Sequence, residues 1–305
     1  MKKLLSVALA VLLVMTLVSC ASSAKGEQLP YKEEVVSVPS SKGDHQISAV
    51  LTVPVEVEGE YPLVVMLHGF GGYKDEGVGF IYIARTLAKY GIASIRMDFA
   101  GTGDDQRDFT AYTLDSAASD ADDCLAYALE NANVDDSKLG IFGYSNGGKI
   151  TTLITGRDPE KYDVRVLLAP AVYTDIKGNT MAMEACGELG YIPMEWFGAT
   201  LKISKEYYES SLDFDMHFEE YEKAIMSTLV IRGTEDPFIS KEVVDAYCLV
   251  TGSDKLLIYG SDHGYGFYSG DAKGFTTLDT VAEATASFFS KNFSDENSAT
   301  MFSVQ

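Results

Sequence analysis

Six short runs dominated by apolar residues constrain this chain more than any other feature. They are Leu63–Leu67, Ile92–Met97, Leu139–Phe142, Val166–Leu168, Thr228–Ile231 and Leu256–Ile258. None alternates cleanly with polar residues, as a strand with one wet face would; each reads as a parallel strand covered on both sides. Helical periods lie between them, such as Phe80, Ile83, Ala84 and Leu87, or Leu114, Ala118, Ala121, Leu125 and Ala128. Upstream, Glu34–Val38 and Gln46–Val53 are β-rich and separated by the turn-forming stretch Ser40–Asp44, which predicts an antiparallel pair opening the sheet. The sum is an α/β architecture: an eight-stranded, mostly parallel sheet with helices on both faces. One stretch breaks the alternation. Residues 172–223 are too long for a crossover loop, and predict an inserted helical cap between the sixth and seventh strands.

Charge removes some functions from consideration. The 305 residues carry 45 Asp plus Glu against 24 Lys plus Arg, a net charge of −21. Such a field repels nucleic acid and anionic lipid alike, so no nucleic-acid partner is expected. Of the four cysteines, Cys124, Cys186 and Cys248 are widely and irregularly spaced, which is neither a disulfide framework nor a zinc pattern. Cys124 and Cys248 fall in helical periods and suit buried positions; a single disulfide stays open.

The N-terminus reads as an address. Lys2 and Lys3 precede an uncharged, mostly apolar stretch from Leu4 to Ser19, too short to span a bilayer and typical of a secretory signal at residues 1–19. Its end, Leu17-Val18-Ser19-Cys20, resembles the lipobox of bacterial lipoproteins. That resemblance implies lipidation of Cys20, a tether over residues 20–30, and an exported protein anchored by lipid alone on the extracytoplasmic face of a bacterial membrane. Loss of Lys2 and Lys3 takes the mature charge to −23. The domain proper then runs over residues 31–293, and residues 294–305 have the weak periodicity of a disordered tail.

Chemistry is written at the ends of the apolar runs. The third run leads into Gly143-Tyr144-Ser145-Asn146-Gly147, a Gly-x-Ser-x-Gly placed between strand and helix, where glycines permit a sharp turn that presents a serine hydroxyl. The first leads into His68-Gly69-Phe70-Gly71-Gly72, the second into Asp98-Phe99-Ala100-Gly101-Thr102-Gly103, the fifth into Gly233-Thr234-Glu235-Asp236-Pro237 and the sixth into Ser261-Asp262-His263-Gly264. With these motifs in place the chain resembles the α/β-hydrolase fold family over roughly Tyr31 to Phe293.

The resemblance implies a nucleophile, acid and base in the order Ser145, Asp236 and His263, with the backbone N–H groups of Phe70 and Asn146 as oxyanion donors. Glu235 and Asp262 are neighbouring carboxylates that could stand in for Asp236. His68 reads as structural, and Asp104 stands where the family often has Ser. The segment from His68 to Glu76 and the cap resemble the feruloyl and cinnamoyl esterase branch. Nine of the 52 cap residues are aromatic, which suits a pocket for a ring, or the cap's own core; Trp196 and Phe197, with Tyr144 beside the nucleophile, are the candidate substrate contacts. Hydrolysis of carboxylic esters through an acyl-enzyme is the expected activity, with neither metal nor organic cofactor implied. Two alternatives remain: a serine peptidase of the prolyl-oligopeptidase or proline-iminopeptidase type, and a non-catalytic binding lipoprotein on the same fold.

Overall fold

A computed structural model describes residues 30–294 except Asp44 and Glu56. The expectations for the signal at 1–19, for Cys20 and its tether, and for the tail beyond Ser294 therefore lie outside the described residues. Eight strands form one sheet: β1 (Tyr31–Pro39), β2 (Gln46–Pro54), β3 (Tyr61–Leu67), β4 (Ala93–Met97), β5 (Val134–Tyr144), β6 (Val164–Leu168), β9 (Ser227–Gly233) and β10 (Asp254–Ile258). Their spatial order is β1-β2-β4-β3-β5-β6-β9-β10. β1 and β2 pair antiparallel, β2 joins β4 antiparallel, and every later pair is parallel. The order reverses between β3 and β4, so β3 and β5 are neighbours at the sheet centre and deliver their C-terminal loops side by side.

Alternation within the buried strands divides the core in two. On β3, Leu63, Val65 and Leu67 face one layer while Val64 and Met66 face the other. The first layer receives α2 (Leu114–Asn131) and α3 (Asn146–Arg157); the second receives α1 (Gly79–Lys89), α6 (Lys241–Thr251) and α7 (Ala272–Phe293). Helix starts follow local chemistry, as where the Thr113 hydroxyl accepts from Ser116 N–H and the Ser116 hydroxyl accepts from Thr113 N–H at the head of α2. Among the described residues, no helix is long and apolar enough to cross a membrane. Cys124, Cys186 and Cys248 are buried free thiols, so the open question of a disulfide among them resolves against it.

The segment between β6 and β9 differs from the all-helical cap expected. It contains α4 (Ile176–Ala185) and α5 (Lys205–Tyr221), but between them lies an antiparallel hairpin, β7 (Tyr191–Trp196) and β8 (Ala199–Ser204). Phe197 and Gly198 make its turn with φ of 45° and 84°. β7 shows no clean apolar alternation, carries a proline and has no fully buried residue; β8 does alternate, with Ala199, Leu201 and Ile203 apolar against Thr200, Lys202 and Ser204, but over only six residues. The cap is not an independent core, since Ile203, Phe214 and Tyr221 join the layer formed by α2 and α3.

Candidate active site

The turn from β5 into α3 is strained in a way its glycines explain. Ser145 has φ 54° and ψ −115°, a conformation that a non-glycine residue holds only when its surroundings impose it. Here Ser145 N–H donates to Leu168 C=O at 2.9 Å, while Ser145 C=O accepts from Ala171 and Gly148 N–H at 2.9 and 3.0 Å. A Cβ at Gly147 would fall 2.1 Å from the Leu67 carbonyl oxygen, and one at Gly143 would fall 2.3 Å from Thr151 Oγ1. Any side chain at either position would push the serine out of its turn.

The structure brings the three distant motifs together. His263 Nε2 lies 3.0 Å from Ser145 Oγ, and His263 Nδ1 lies 2.7 Å from Asp236 Oδ2. Asp236 Oδ1 accepts from Phe238 and Ile239 N–H at 2.8 and 3.0 Å. Burial alone would raise this carboxyl's pKa; the imidazole and the two backbone donors outweigh it and hold the pKa below the usual carboxylate range. Of the neighbouring carboxylates, Asp262 is turned onto Gly264 N–H at 3.0 Å, while Glu235 N–H binds Ser261 C=O at 2.9 Å and so helps join the acid and base loops.

Tyr144 is placed under the base. Its ring centroid is 5.2 Å from that of His263, its hydroxyl donates to His263 C=O at 2.9 Å, and the residue is buried. A hydroxyl committed in this way supports the imidazole from below, which differs from the substrate contact expected of it. Phe238, largely exposed, covers the outer face of the same imidazole edge-on at 5.1 Å.

The oxyanion loop is set by peptide geometry. Gly69 C=O accepts from His68 Nδ1 at 2.8 Å and from Gly72 N–H at 3.1 Å. In a trans peptide the carbonyl and the next N–H point in opposite directions, so clamping Gly69 C=O aims Phe70 N–H the other way. Among the described residues neither Phe70 N–H nor Asn146 N–H donates to a protein acceptor. Their loops are in contact, because Gly147 approaches the Leu67 and His68 carbonyl oxygens too closely for a Cβ. Asn146 opens α3, where the helix dipole also favours negative charge.

His68 is the clamp's anchor. It is fully buried, and its Nε2 accepts from Phe99 N–H at 3.2 Å, so the ring is neutral with its proton on Nδ1. Desolvation pulls its pKa down from 6.5 to about 4. An unfolded chain binds a proton here as pH falls through about 6.5, whereas the folded chain resists until about 4, so this residue removes stability progressively across that window. His68→Gln, which cannot titrate, is expected to unfold at a lower temperature than the parent at pH 7 but to lose less between pH 6.5 and 4. Parallel pH slopes in thermal unfolding would contradict this.

The loop after β4 braces the oxyanion loop from behind. Buried Asp98 accepts from Lys74 N–H, Lys74 Nζ and Asp104 N–H at 2.8, 2.6 and 2.9 Å, and Asp104 takes a second bond from Lys74 Nζ at 2.6 Å. The acidic residue at 104 thus serves as a lysine partner.

Above the loop sits a group of rings. Phe70 meets Phe109, Tyr112, Trp196 and Tyr207 edge-on at 5.5 to 6.0 Å between centroids. Tyr112 stacks on Tyr207 at 5.6 Å and accepts from Asn146 Nδ2 at 2.8 Å. Trp196 and Leu201 of the hairpin rest on Gly71, where a Cβ would fall 2.8 Å from either. Phe197 instead projects from the hairpin tip, 94% exposed, touching only the edge of Trp196 among the rings. The cap is also fastened to the nucleophile helix. Lys149, one turn past Ser145, lies between the Tyr173 and Phe214 rings and 3.5 Å from Asp215 Oδ1 of α5. Asp215 in turn accepts from Asp175 N–H and Asn179 Nδ2 at 2.7 and 2.9 Å. Sequence reasoning singled out neither Tyr112 and Tyr207 nor the Lys149–Asp215 pair, since nothing in local spacing distinguishes them from ordinary core and surface residues.

Fold and site together define the chain as an α/β hydrolase. Within that class it belongs to the serine aminopeptidase S33 family, whose pattern its residues 61–216 match, just over half of the chain. Among curated proteins it is similar to the uncharacterized peptidase YuxL of Bacillus subtilis, 25% identical over 177 residues, and to acylamino-acid-releasing enzyme 2 of Oryza sativa subsp. japonica, 27% identical over 140 residues. Those stretches are 54% and 42% of this chain but only 26% and 18% of the two relatives, so the likeness covers a small part of much longer proteins. Among solved structures, Est1E from Butyrivibrio proteoclasticus with ferulic acid bound has a TM-score of 0.67 at 21% identity, covering 84% of this chain and 98% of its own. DcsB in complex with a substrate analogue has a TM-score of 0.68 at 18% identity, covering 86% and 100%. An esterase of Pyrococcus furiosus has 0.61 at 14%, covering 86% and 92%. At such identities the shared property is the fold.

Proposed function

We propose that this protein hydrolyses carboxylic esters through an acyl-enzyme, with Ser145 as nucleophile, His263 as general base and acid, and Asp236 as the residue that orients the imidazole. The observation that carries this is the unbroken hydrogen-bonded line from Ser145 Oγ through His263 to Asp236. In the first half-reaction Ser145 Oγ attacks the ester carbonyl as its proton passes to His263 Nε2. Negative charge developing on the carbonyl oxygen meets Phe70 and Asn146 N–H, which are unspent on the protein. The imidazolium, stabilised by Asp236, returns the proton to the departing alcohol. Water, activated by the same imidazole, then releases the acid and restores the serine.

An aryl acyl group is the substrate we favour. The rings of Phe109, Tyr112, Trp196 and Tyr207 converge on Phe70, one of the two residues that contribute an oxyanion donor, and neutral aromatic edges suit a planar ring better than a charged one. The fold is also shared with a structure that holds ferulic acid. A second reading, amide or peptide cleavage, draws on the name of the serine aminopeptidase family and on those of the two curated relatives, one a peptidase and the other an acylamino-acid-releasing enzyme. Turnover of methyl ferulate, short p-nitrophenyl esters and aminoacyl-amides, measured side by side, separates the two. Esters are expected to be cleaved faster, with methyl ferulate having the lowest KM; faster cleavage of the amides would overturn the ester reading.

A further inference from the structure

We propose that Glu76 is a positioning residue that couples the oxyanion loop to the loop carrying the base, and so holds Phe70 N–H in register with Ser145 and His263. The inference rests on the serine-hydrolase reading above. Glu76 is 2% exposed, and glutamate is rarely buried to that degree without partners that need it. Its backbone has φ 43° although it is not glycine, a cost that persists only where surrounding contacts impose it.

Those contacts face two ways. Glu76 Oε1 accepts from Gly69 N–H at 2.8 Å, on the residue whose carbonyl clamp aims Phe70 N–H. Glu76 Oε2 accepts a hydrogen bond from the Tyr268 hydroxyl, five residues beyond His263. Backbone contacts run along the same seam: Val78 N–H donates to Phe267 C=O at 3.0 Å, and a Cβ on Gly77 would fall 2.3 Å from that oxygen. Space for the carboxyl is made by Gly72, where a Cβ would lie 2.1 Å from Oε1. The Tyr144 ring, which supports His263, also packs against Gly69, 3.2 Å from a Cβ built there.

Gly69 is therefore held at both ends of its unit: its carbonyl by His68 and Gly72, its N–H by Glu76. Without the carboxyl, Gly69 N–H is left buried and unpaired, and the relaxation that satisfies it tilts the Gly69–Phe70 peptide. The oxyanion exists only in the transition state, so misaiming its donor should appear in kcat and leave KM nearly alone.

The test compares Glu76→Ala, Glu76→Gln and Tyr268→Phe in the full chain on a p-nitrophenyl ester, with kcat expressed per active site titrated by a fluorophosphonate. Glu76→Ala is expected to lower kcat by about 10- to 100-fold with KM within about threefold, part of the effect of deleting an oxyanion donor outright. Glu76→Gln, which can still accept from Gly69 N–H, is expected to recover to within about threefold of the parent. Tyr268→Phe should lower kcat by a smaller factor at an unchanged titre, and it decides the matter if Glu76→Ala does not fold. Parental kcat in Glu76→Ala, a Glu76→Gln as impaired as Glu76→Ala, or parental kcat in Tyr268→Phe where Glu76→Ala is unfolded would each overturn the proposal. Ser145→Ala, run in parallel, separates the two levels: turnover surviving there would defeat the serine-hydrolase reading, whereas its loss alongside a normal Glu76→Ala would defeat only the role of Glu76.

Discussion

Ser145→Ala is expected to lower kcat on an activated aryl ester by about 10⁴- to 10⁶-fold while leaving the fold intact. The strained turn at 145 is imposed by hydrogen bonds from and to its main chain, with Leu168, Gly148 and Ala171, and by close approaches at Gly143 and Gly147. None involves the hydroxyl, and alanine meets the same φ penalty as serine. The substitution removes only Oγ, and with it the atom that forms the acyl bond. Residual activity would reflect the oxyanion donors and binding, which still favour attack by water. A stopped assay over hours, corrected for the uncatalysed rate, measures it. Near-parental turnover would remove Ser145 from the mechanism.

Asp236→Asn should cost about 10³- to 10⁴-fold in kcat with little change in KM, in a protein that folds normally. The two oxygens of Asp236 have separate partners. Oδ1 accepts from Phe238 and Ile239 N–H, and Oδ2 faces His263 Nδ1. An asparagine keeps its oxygen on the two backbone donors and must then present its NH₂ to the imidazole. Facing a donor, Nδ1 has to accept, which places the ring proton on Nε2 and leaves no lone pair to take the Ser145 proton. The loss is thus one of tautomer as well as charge. Steady-state kinetics and a thermal melt check it together: a loss confined to a raised KM, or a kcat within tenfold of the parent, would mean that Asp236 does not orient the base.

Much of this site was legible in the chain because its parts are local. A strand running into Gly-x-Ser-x-Gly and then a helix, His68-Gly69-Phe70 after the first buried run, and His263 after the last are each a short motif at the end of an apolar stretch. The placement of each follows from the rule that loops at the C-terminal edge of a parallel sheet gather on one side. Asp236 was harder, since Glu235 and Asp262 offered carboxylates within reach in sequence. The structure separates them by direction: Asp262 turns onto Gly264 N–H, while Asp236 is the one whose oxygen faces the ring. The hairpin within the cap escaped sequence reasoning for a physical reason. β7 is only partly covered and carries neither the alternation of a half-buried strand nor the continuous apolar run of a buried one, and the alternation of β8 lasts just six residues, too few to mark a hairpin without a patterned partner.

The layering and the order of chemistry along it are legible in the chain alone: buried strands read as apolar runs, helices as 3.6-residue periods, and reactive residues as motifs where one becomes the other. All of these are properties of neighbours in the chain. Contacts between residues far apart in sequence are fixed only by folding. Tyr144 lies beneath His263 and donates to its carbonyl; Tyr112 and Tyr207 stack beside Phe70; Lys149 pairs with Asp215; Glu76 reaches both Gly69 and Tyr268. No period or spacing encodes such pairs, because each depends on where two separate loops are carried by the sheet, and on which atoms are left unpaired once the backbone has satisfied itself.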